Sequence, residues 1–456
     1  MIQTFSHHLA TFYMGLSAAA LPLPTRHAVR RHVLDTLGVG MAGSGQPEPQ
    51  SVLGACASLC GEGGPAVVWG SGQGVPAFPA ALINGTAAHA LELDDASGCD
   101  HSGAVIVPAV MAALAKAPHA TDNDVMAAVA AGYDVARRVM EAAGGYDAHN
   151  NAGWHSTGTC GVFGACIAVA RLWRLDGAVA THALGIAGSF ASGNWSFMGN
   201  GAMTKRLHPG HAAAAGLMAV ELARQGMTGP DSVFEADWGG FFKTYTHPAT
   251  TDAGLLVADL GELWRIHRSS IKPFASCRGT HSAVEIAQKL RDAHPASDIK
   301  KLRVSVTQTI ARMCGATSIH SLVDAQMSLP YAVAVAWLTG QADLACFQPP
   351  LRGSAEVTAF MDRVELVVSP DISSNLAARI DVETYSGKSA HACLDVPSGS
   401  WNNPLSDAAL IAKFRSLATP VVGDVAATRL LERVWALEGE GLATDIPSLT
   451  AKCDNV

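Results

Sequence analysis

Through roughly the first 265 residues, apolar side chains recur at i, i+3 and i+4 in eight successive segments: 26–42, 47–60, 77–92, 104–118, 122–143, 160–173, 177–190 and 211–226. Only a period near 3.6 residues puts such positions on one face, so the spacing predicts helix after helix around a helical core. The opening MIQTFSHHLATFYMG has the same period and predicts one more helix; it lacks the basic start of a secretory leader. Many core positions are alanine or glycine, as in AVMAALAKA and HAAAAGLMAVELA, which suits tightly packed helices. Boundaries carry signals as well. Thr25 and Thr121 stand where N-caps are expected, Asp124 completes a capping pattern, and Gly144-Gly145 follow the last turn of the 122–143 helix.

From about residue 267 the pattern changes. RIHRSSIKPF, IKKLRVSVTQTIA, RVELVVSPDI and AARIDVETYSG are rich in β-branched residues and partly alternate, while 280–294 and 323–340 between them read as helices. This predicts an α+β section with an antiparallel sheet. Helical periodicity returns after SGSWNNPLS, in ALIAKFRSLA and ATRLLERVWAL. The fold class is therefore mostly α: an all-helical domain made of 1–266 and 398–456, with a smaller α+β domain, 267–397, inserted into it. A chain of 456 residues exceeds what one core commonly supports, in keeping with two domains.

Several function classes are disfavoured. The net charge is −8 with no dense Lys/Arg cluster, which argues against a nucleic-acid surface. No window of about 18 residues is uninterrupted and strongly apolar, so no membrane span is expected. Ten cysteines occur without a CxxC pair, and this predicts neither a disulfide framework nor a zinc site but a reducing, cytoplasmic setting. WGSGQG follows a strand-like AVVW, yet the third glycine of a dinucleotide fingerprint would stand where Val75 is. A strand and a tight turn are the better reading. No histidine has the helical spacing of a metal ligand set, so no metal is expected.

Chemistry concentrates in four stretches. HALELDDASGCDHSGAVIVP sets Glu92, Asp94, Asp95, Asp100 and His101 between apolar runs, with the acids at a helix C-terminus, where the dipole disfavours them. Ser97, Gly98 and Gly103 make a loop able to present the imidazole of His101. In AHNNAGWHSTGTCGVFGA, His155 precedes a helix start at Thr157 or Thr159. MTKRLHPGHAAAAGL puts Lys205, Arg206, His208 and His211 ahead of a helix, positive charge against a positive helix end, which an anionic ligand would reconcile. SIKPFASCRGTHSAVEIA offers Lys272, Ser276, Cys277, Arg278, Thr280 and His281 at the domain boundary. The bland alternatives are a solvated acidic helix end, a capping histidine and a basic turn, as a mere anion-binding protein would have.

Taken together, NGTAAHALELDD with His101, GWHSTGT, TKRLHPGHAA, KPFASCRGTHSAVEIA, DAQMSLPYAVA and NPLSDAALIAKF resemble the MmgE/PrpD family over nearly the whole chain. The resemblance implies a large helical domain with an inserted α+β lid, no cofactor, and a homodimer. It implies chemistry at a carbon α to a carboxylate of a small polycarboxylate, with His101, His155, Lys205 and Lys272 as catalytic residues. Glu92, Asp94, Ser276, Cys277, Arg278 and His281 would bind substrate. In this setting His101 and His155 exchange protons, Glu92 or Asp94 orients a histidine, and Lys205, Lys272 and Arg278 hold carboxylates. Glu92 is the first choice as partner of His101, with Asp94 and Asp95 shaping the helix end. The family's decarboxylase has aspartate at the place of Glu92 and histidine at that of Cys277. CRGTH therefore points to an epimerase of iminodisuccinate type, with a 2-methylcitrate-type dehydratase or a cis-aconitate-type decarboxylase as alternatives.

Overall fold

The computed structural model describes residues 4–451, which fall into two compact units, divided at Ser269/Ser270 and again at Leu405/Ser406. The first unit is helical. Its main helices are Phe5–Met14, Leu23–Gly43, Pro47–Cys60, Ala77–His89, Gly103–Ala113, Asp122–Ala142, Gly161–Leu172, Gly177–Gly188 and Thr204–Arg224, and after the second unit Asp407–Val422 and Asp424–Trp435. Residues 1–3 of the expected first helix lie outside the described residues.

Small residues set how closely these helices cross. A Cβ added at Gly210 would sit 2.2 Å from the Leu82 carbonyl oxygen, and one at Gly85 would sit 2.6 Å from the Cα of Gly210, so the Ala77–His89 and Thr204–Arg224 backbones nearly touch. This crossing corrects one expectation. The last of these helices starts at Thr204 rather than 211, because Pro209-Gly210 is a packing site within it and not a break. Lys205, Arg206, His208 and His211 are therefore on the helix.

Thr121 and Asp124 form a reciprocal capping box, and Gly144 takes a left-handed conformation (φ 97°) past the end of that helix. Thr25 is not a cap. The helix starts at Leu23, and the Thr25 hydroxyl meets His267 Nε2 at 3.0 Å. AVVWGSGQG is a hairpin, with β1 (Ala66–Val67) pairing β2 (Gly74–Val75) and Gly70 and Gly72 at φ 82° and 75° in the turn. Among the described residues no helix is long and apolar enough to cross a membrane.

The second unit, Ser270–Leu405, is α+β. Its four strands are β3 (Ile299–Val306), β4 (Val364–Val368), β5 (Ala378–Thr384) and β6 (Ser389–Leu394), in the order β4-β3-β5-β6. β5 runs antiparallel to β3 and to β6, but β4 is parallel to β3, so the sheet is mixed and not purely antiparallel. The reason lies in the connection. The chain between β3 and β4 carries the helices Gln308–Cys314, Leu329–Thr339 and Ala355–Met361, and a helical crossover is what parallel pairing needs. RIHRSSIKPF is not a strand, as Arg265–Arg268 is a 3₁₀ turn. β6 was not foreseen because SAHACL contains no β-branched residue.

Candidate active site

The loop joining Ala77–His89 to Gly103–Ala113 holds three non-glycine residues in the left-handed region: Glu92 (φ 51°), Ser97 (φ 64°) and Asp100 (φ 120°). Each costs of order 1 kcal/mol or more, so the surroundings must impose the path. They do so from several sides. Asp95 accepts from Gly103 N–H at 2.9 Å and from the Tyr133 hydroxyl at 2.8 Å. Lys413 Nζ donates to the Leu93 carbonyl at 2.8 Å and to buried Asp35 at 2.6 Å. Arg137 donates to the carbonyls of Ser97 and Gly98.

This loop delivers a histidine–aspartate–histidine group. Asp94 Oδ2 lies 3.0 Å from His89 Nδ1 and 3.0 Å from His101 Nδ1, with all three side chains buried. His101 Nδ1 is also 2.8 Å from the Asp95 carbonyl oxygen. Both partners accept, so the His101 hydrogen sits on Nδ1, leaving Nε2 to exchange protons. Burial pushes Asp94 up, but His89 and His101 more than offset it and hold the carboxyl well below the usual range. Burial takes His89 down to about 3 against the pull of Asp94, so its imidazole is neutral.

A second acid faces the opposite nitrogen. Asp100 Oδ2 lies 3.5 Å from His101 Nε2 and 3.7 Å from His155 Nε2. Its burial is outweighed by His101, His155 and Lys205, which keep the carboxyl ionised. His155 is fully buried ahead of the Ser156–Thr159 turn, with its N–H on the Gly193 carbonyl at 3.1 Å. Its Nδ1 is 2.9 Å from His208 Nδ1.

The third group balances charge. Glu92 Oε1 accepts from Lys205 Nζ and, at 2.5 Å, from Arg206 Nη1, both on the first turn of Thr204–Arg224. Here lies the compensation the helix-end acid required. Of the two acids expected to orient a histidine, Asp94 stands 3.0 Å from both His89 and His101, and Glu92 carries the two cations.

In the α+β unit the remaining candidates form their own cluster. Arg278 is buried, and among the described residues its guanidinium hydrogen-bonds only neutral groups, His281 Nδ1 at 2.8 Å, the Ser398 carbonyl at 3.3 Å and the Ser400 hydroxyl, with Nε unpartnered and the Glu285 carboxylate acting on it through space. Burial lowers it to about 10. His281 Nε2 lies 3.2 Å from the Ser276 carbonyl, the Ser276 and Thr280 hydroxyls are 2.8 Å apart, and Cys277 N–H donates to the Gln326 carbonyl at 2.9 Å. Lys272 is buried. Glu92, Asp94, His101, His155 and Lys205 thus cluster in one unit, and Lys272, Ser276, Cys277, Arg278 and His281 belong to the other.

Two donor sets have the compactness of a metal site: His89, Asp94 and His101, and Asp100, His101 and His155. In the first, carboxylate and imidazoles stand at hydrogen-bond distance, which accounts for their closeness. In the second, Asp100 Oδ2 stands 3.5 Å from His101 Nε2 and 3.7 Å from His155 Nε2. The loop joins His89 at a helix end to Asp94 and His101 in the first set, and meets His155 from a distant stretch in the second, so helical spacing in the sequence carried no trace of them.

Sequence reasoning left out His89, Asp100 and His208 as site residues. His89 and Asp94 are five apart and meet only because the chain turns through Glu92 in the left-handed region. For His208 a signal existed. With the helix started at Thr204, Lys205 and His208 stand at i and i+3 on one face.

Known proteins with a similar sequence were found over almost the full length. The MmgE/PrpD N-terminal domain matches residues 7–253 and the MmgE/PrpD C-terminal domain matches residues 274–437. A cis-aconitate decarboxylase of Aspergillus terreus is 28% identical, with 93% of this chain and 91% of that protein covered. A cis-aconitate decarboxylase-like protein of Aspergillus oryzae is 27% identical, covering 97% and 96%. The cis-aconitate decarboxylase of Homo sapiens is 27% identical, covering 96% and 92%.

Proposed function

The chain belongs to the MmgE/PrpD family, and from that premise we propose that it is a lyase that decarboxylates a small unsaturated tricarboxylate of the cis-aconitate type. The observation that carries this reading is the pair of buried imidazoles, His101 and His155, facing one carboxylate from two sides, in a chain similar over its whole length to proteins named as decarboxylases. When the bond to the departing carboxylate breaks, its electron pair stays on the carbon skeleton and spreads toward a neighbouring carboxylate. A proton must then reach carbon, and cations must hold the charge meanwhile. His101 and His155 serve as the proton-exchanging groups, and Lys205 and Arg206 as cations near them. In the α+β unit, Lys272 and Arg278 serve to hold carboxylates, aided by Ser276, Cys277 and His281. This changes the ranking drawn from CRGTH, which put an epimerase first.

The epimerase remains as a second reading on one observation, the buried guanidinium of Arg278 with no carboxylate hydrogen-bonded to it, which would suit a substrate with a different set of carboxylates. Incubation with cis-aconitate in D₂O separates the two. Decarboxylation releases CO₂ and leaves one deuterium on carbon in the product by proton NMR, whereas an epimerase given iminodisuccinate exchanges the α-proton with no CO₂. Neither outcome from either compound would remove both readings.

A further inference from the structure

We propose that His208 is a positioning residue that fixes the tautomer of His155, so that His155 and His101 are held in opposite tautomers, one as proton donor and the other as base. This rests on the proton-transfer reading above but commits to a division of labour that the reading leaves open.

The two Nδ1 atoms of His155 and His208 are 2.9 Å apart, and one hydrogen lies between them. Which ring carries it is decided at the other end of His155. Its Nε2 is buried and faces the ionised Asp100 at 3.7 Å, longer than an ordinary hydrogen bond. A hydrogen on that nitrogen is attracted by the carboxylate, whereas a lone pair is repelled. His155 therefore carries its hydrogen at Nε2 and accepts at Nδ1, and His208 is the donor. His101 is the mirror case, because acceptors surround its Nδ1 and its Nε2 is the nitrogen near Asp100. One ring so presents N–H and the other a lone pair to the same small region, as acid and base must.

The surroundings hold His208 to this task. Gly193, whose carbonyl takes the His155 N–H, is itself at φ 112°, and a Cβ there would come within 3.3 Å of the His208 ring. Trp195 lies edge-on to His155 at 5.1 Å, and Phe197 edge-on to His208 at 6.0 Å between ring centres. His208 is half-buried and pushed down to about 3 by burial and by its neighbours His155, His211 and Lys205, so it is a neutral donor and not a cation.

The test compares the full-length chain with His208→Asn, which keeps an N–H near the Nδ1 position, and His208→Asp, which offers only an acceptor. Nitrogen-15 NMR of the imidazoles should show His155 with hydrogen on Nε2 and His101 with hydrogen on Nδ1 in the parent and in His208→Asn. In His208→Asp the His155 hydrogen should move to Nδ1. With cis-aconitate, kcat should stay within about tenfold for His208→Asn and fall by about a hundredfold or more for His208→Asp, with KM changing little. A parent spectrum with the His155 hydrogen on Nδ1 would overturn the proposal, as would a tautomer unmoved by His208→Asp in a folded protein. The spectra decide this even if no substrate turns over, and that second failure would count against the decarboxylase reading alone.

Discussion

Two buried cationic clusters in this molecule are built on opposite plans. In the helical unit, Lys205 and Arg206 share one oxygen of Glu92, and each carboxylate of the loop faces an imidazole or a cation. In the α+β unit, Arg278 is also buried, yet it is wrapped in a carbonyl, a hydroxyl and a neutral ring, with no carboxylate bonded to it. A buried charge with no counter-ion bonded to it, and only Glu285 acting through space, is costly to keep and suits a site that something else makes use of. The first plan suits moving protons among groups already in balance. The second suits capturing an anion that the protein does not itself provide.

The largest effect that follows concerns the balanced cluster. His101→Gln should lower kcat for CO₂ release by roughly a hundredfold to ten-thousandfold, the range for loss of a general acid or base, with the far-ultraviolet circular dichroism unchanged. His155→Gln should fall in the same range. If both variants turned over substrate at the parent rate, proton exchange at this cluster would be wrong and the contrast between the clusters would lose its functional half.

Stability tests the contrast more directly, because the two clusters should respond with opposite signs. Glu92→Gln leaves two cations without their carboxylate, and breaking a buried pair from one side costs about 3 kcal/mol or more, read as a lower denaturant midpoint. Arg278→Met removes a charge that has no carboxylate hydrogen-bonded to it and only the through-space pull of Glu285, so the free protein should hold its stability or gain about 1 kcal/mol. The same variant should raise KM for the polycarboxylate by about tenfold or more with less change in kcat. A strongly destabilised Arg278→Met would mean that the neutral shell satisfies the guanidinium after all.

The contrast also explains what could be read from the sequence. Helices were legible because burial imposes a period, and Asp122–Ala142 is present almost to the residue, with its Thr121/Asp124 cap. His101 was singled out because a histidine in a Gly/Ser loop has few structural uses, and the structure places it between Asp94 and Asp100. Which of the offered acids, Glu92 or Asp94, would face it was not decided by spacing: three left-handed residues redirect the loop so that Asp94 meets both His89 and His101. Such a path depends on Tyr133, Lys413 and Arg137, which come from distant parts of the chain, and no local pattern encodes it. His208 was read only as part of a basic stretch ahead of a helix, whereas the helix already starts at Thr204 and Gly210 is where two backbones cross.

The smallest effect separates the units by acid. His89, His149 and His208 all belong to the helical unit, and burial is the largest cause holding them down, to about 3, about 4 and about 3. A histidine with a lowered folded value binds fewer protons folded than unfolded at pH below its ordinary value near 6.5, so its contribution is complete above that value and is lost as pH falls. At about pH 6 each such ring should already have cost the helical unit of order 1 kcal/mol. Amide hydrogen exchange, corrected for its intrinsic pH dependence, should then show the Asp122–Ala142 and Gly161–Leu172 helices losing protection between about pH 7 and about pH 6. His149→Gln should make that loss shallower, since the titrating ring is gone while an amide can still reach the Thr159 hydroxyl that His149 Nε2 meets at 2.7 Å. Equal loss in parent and variant would show that His149 is not among the groups responsible, and protection rising toward pH 6 would reverse the sign argued for all three.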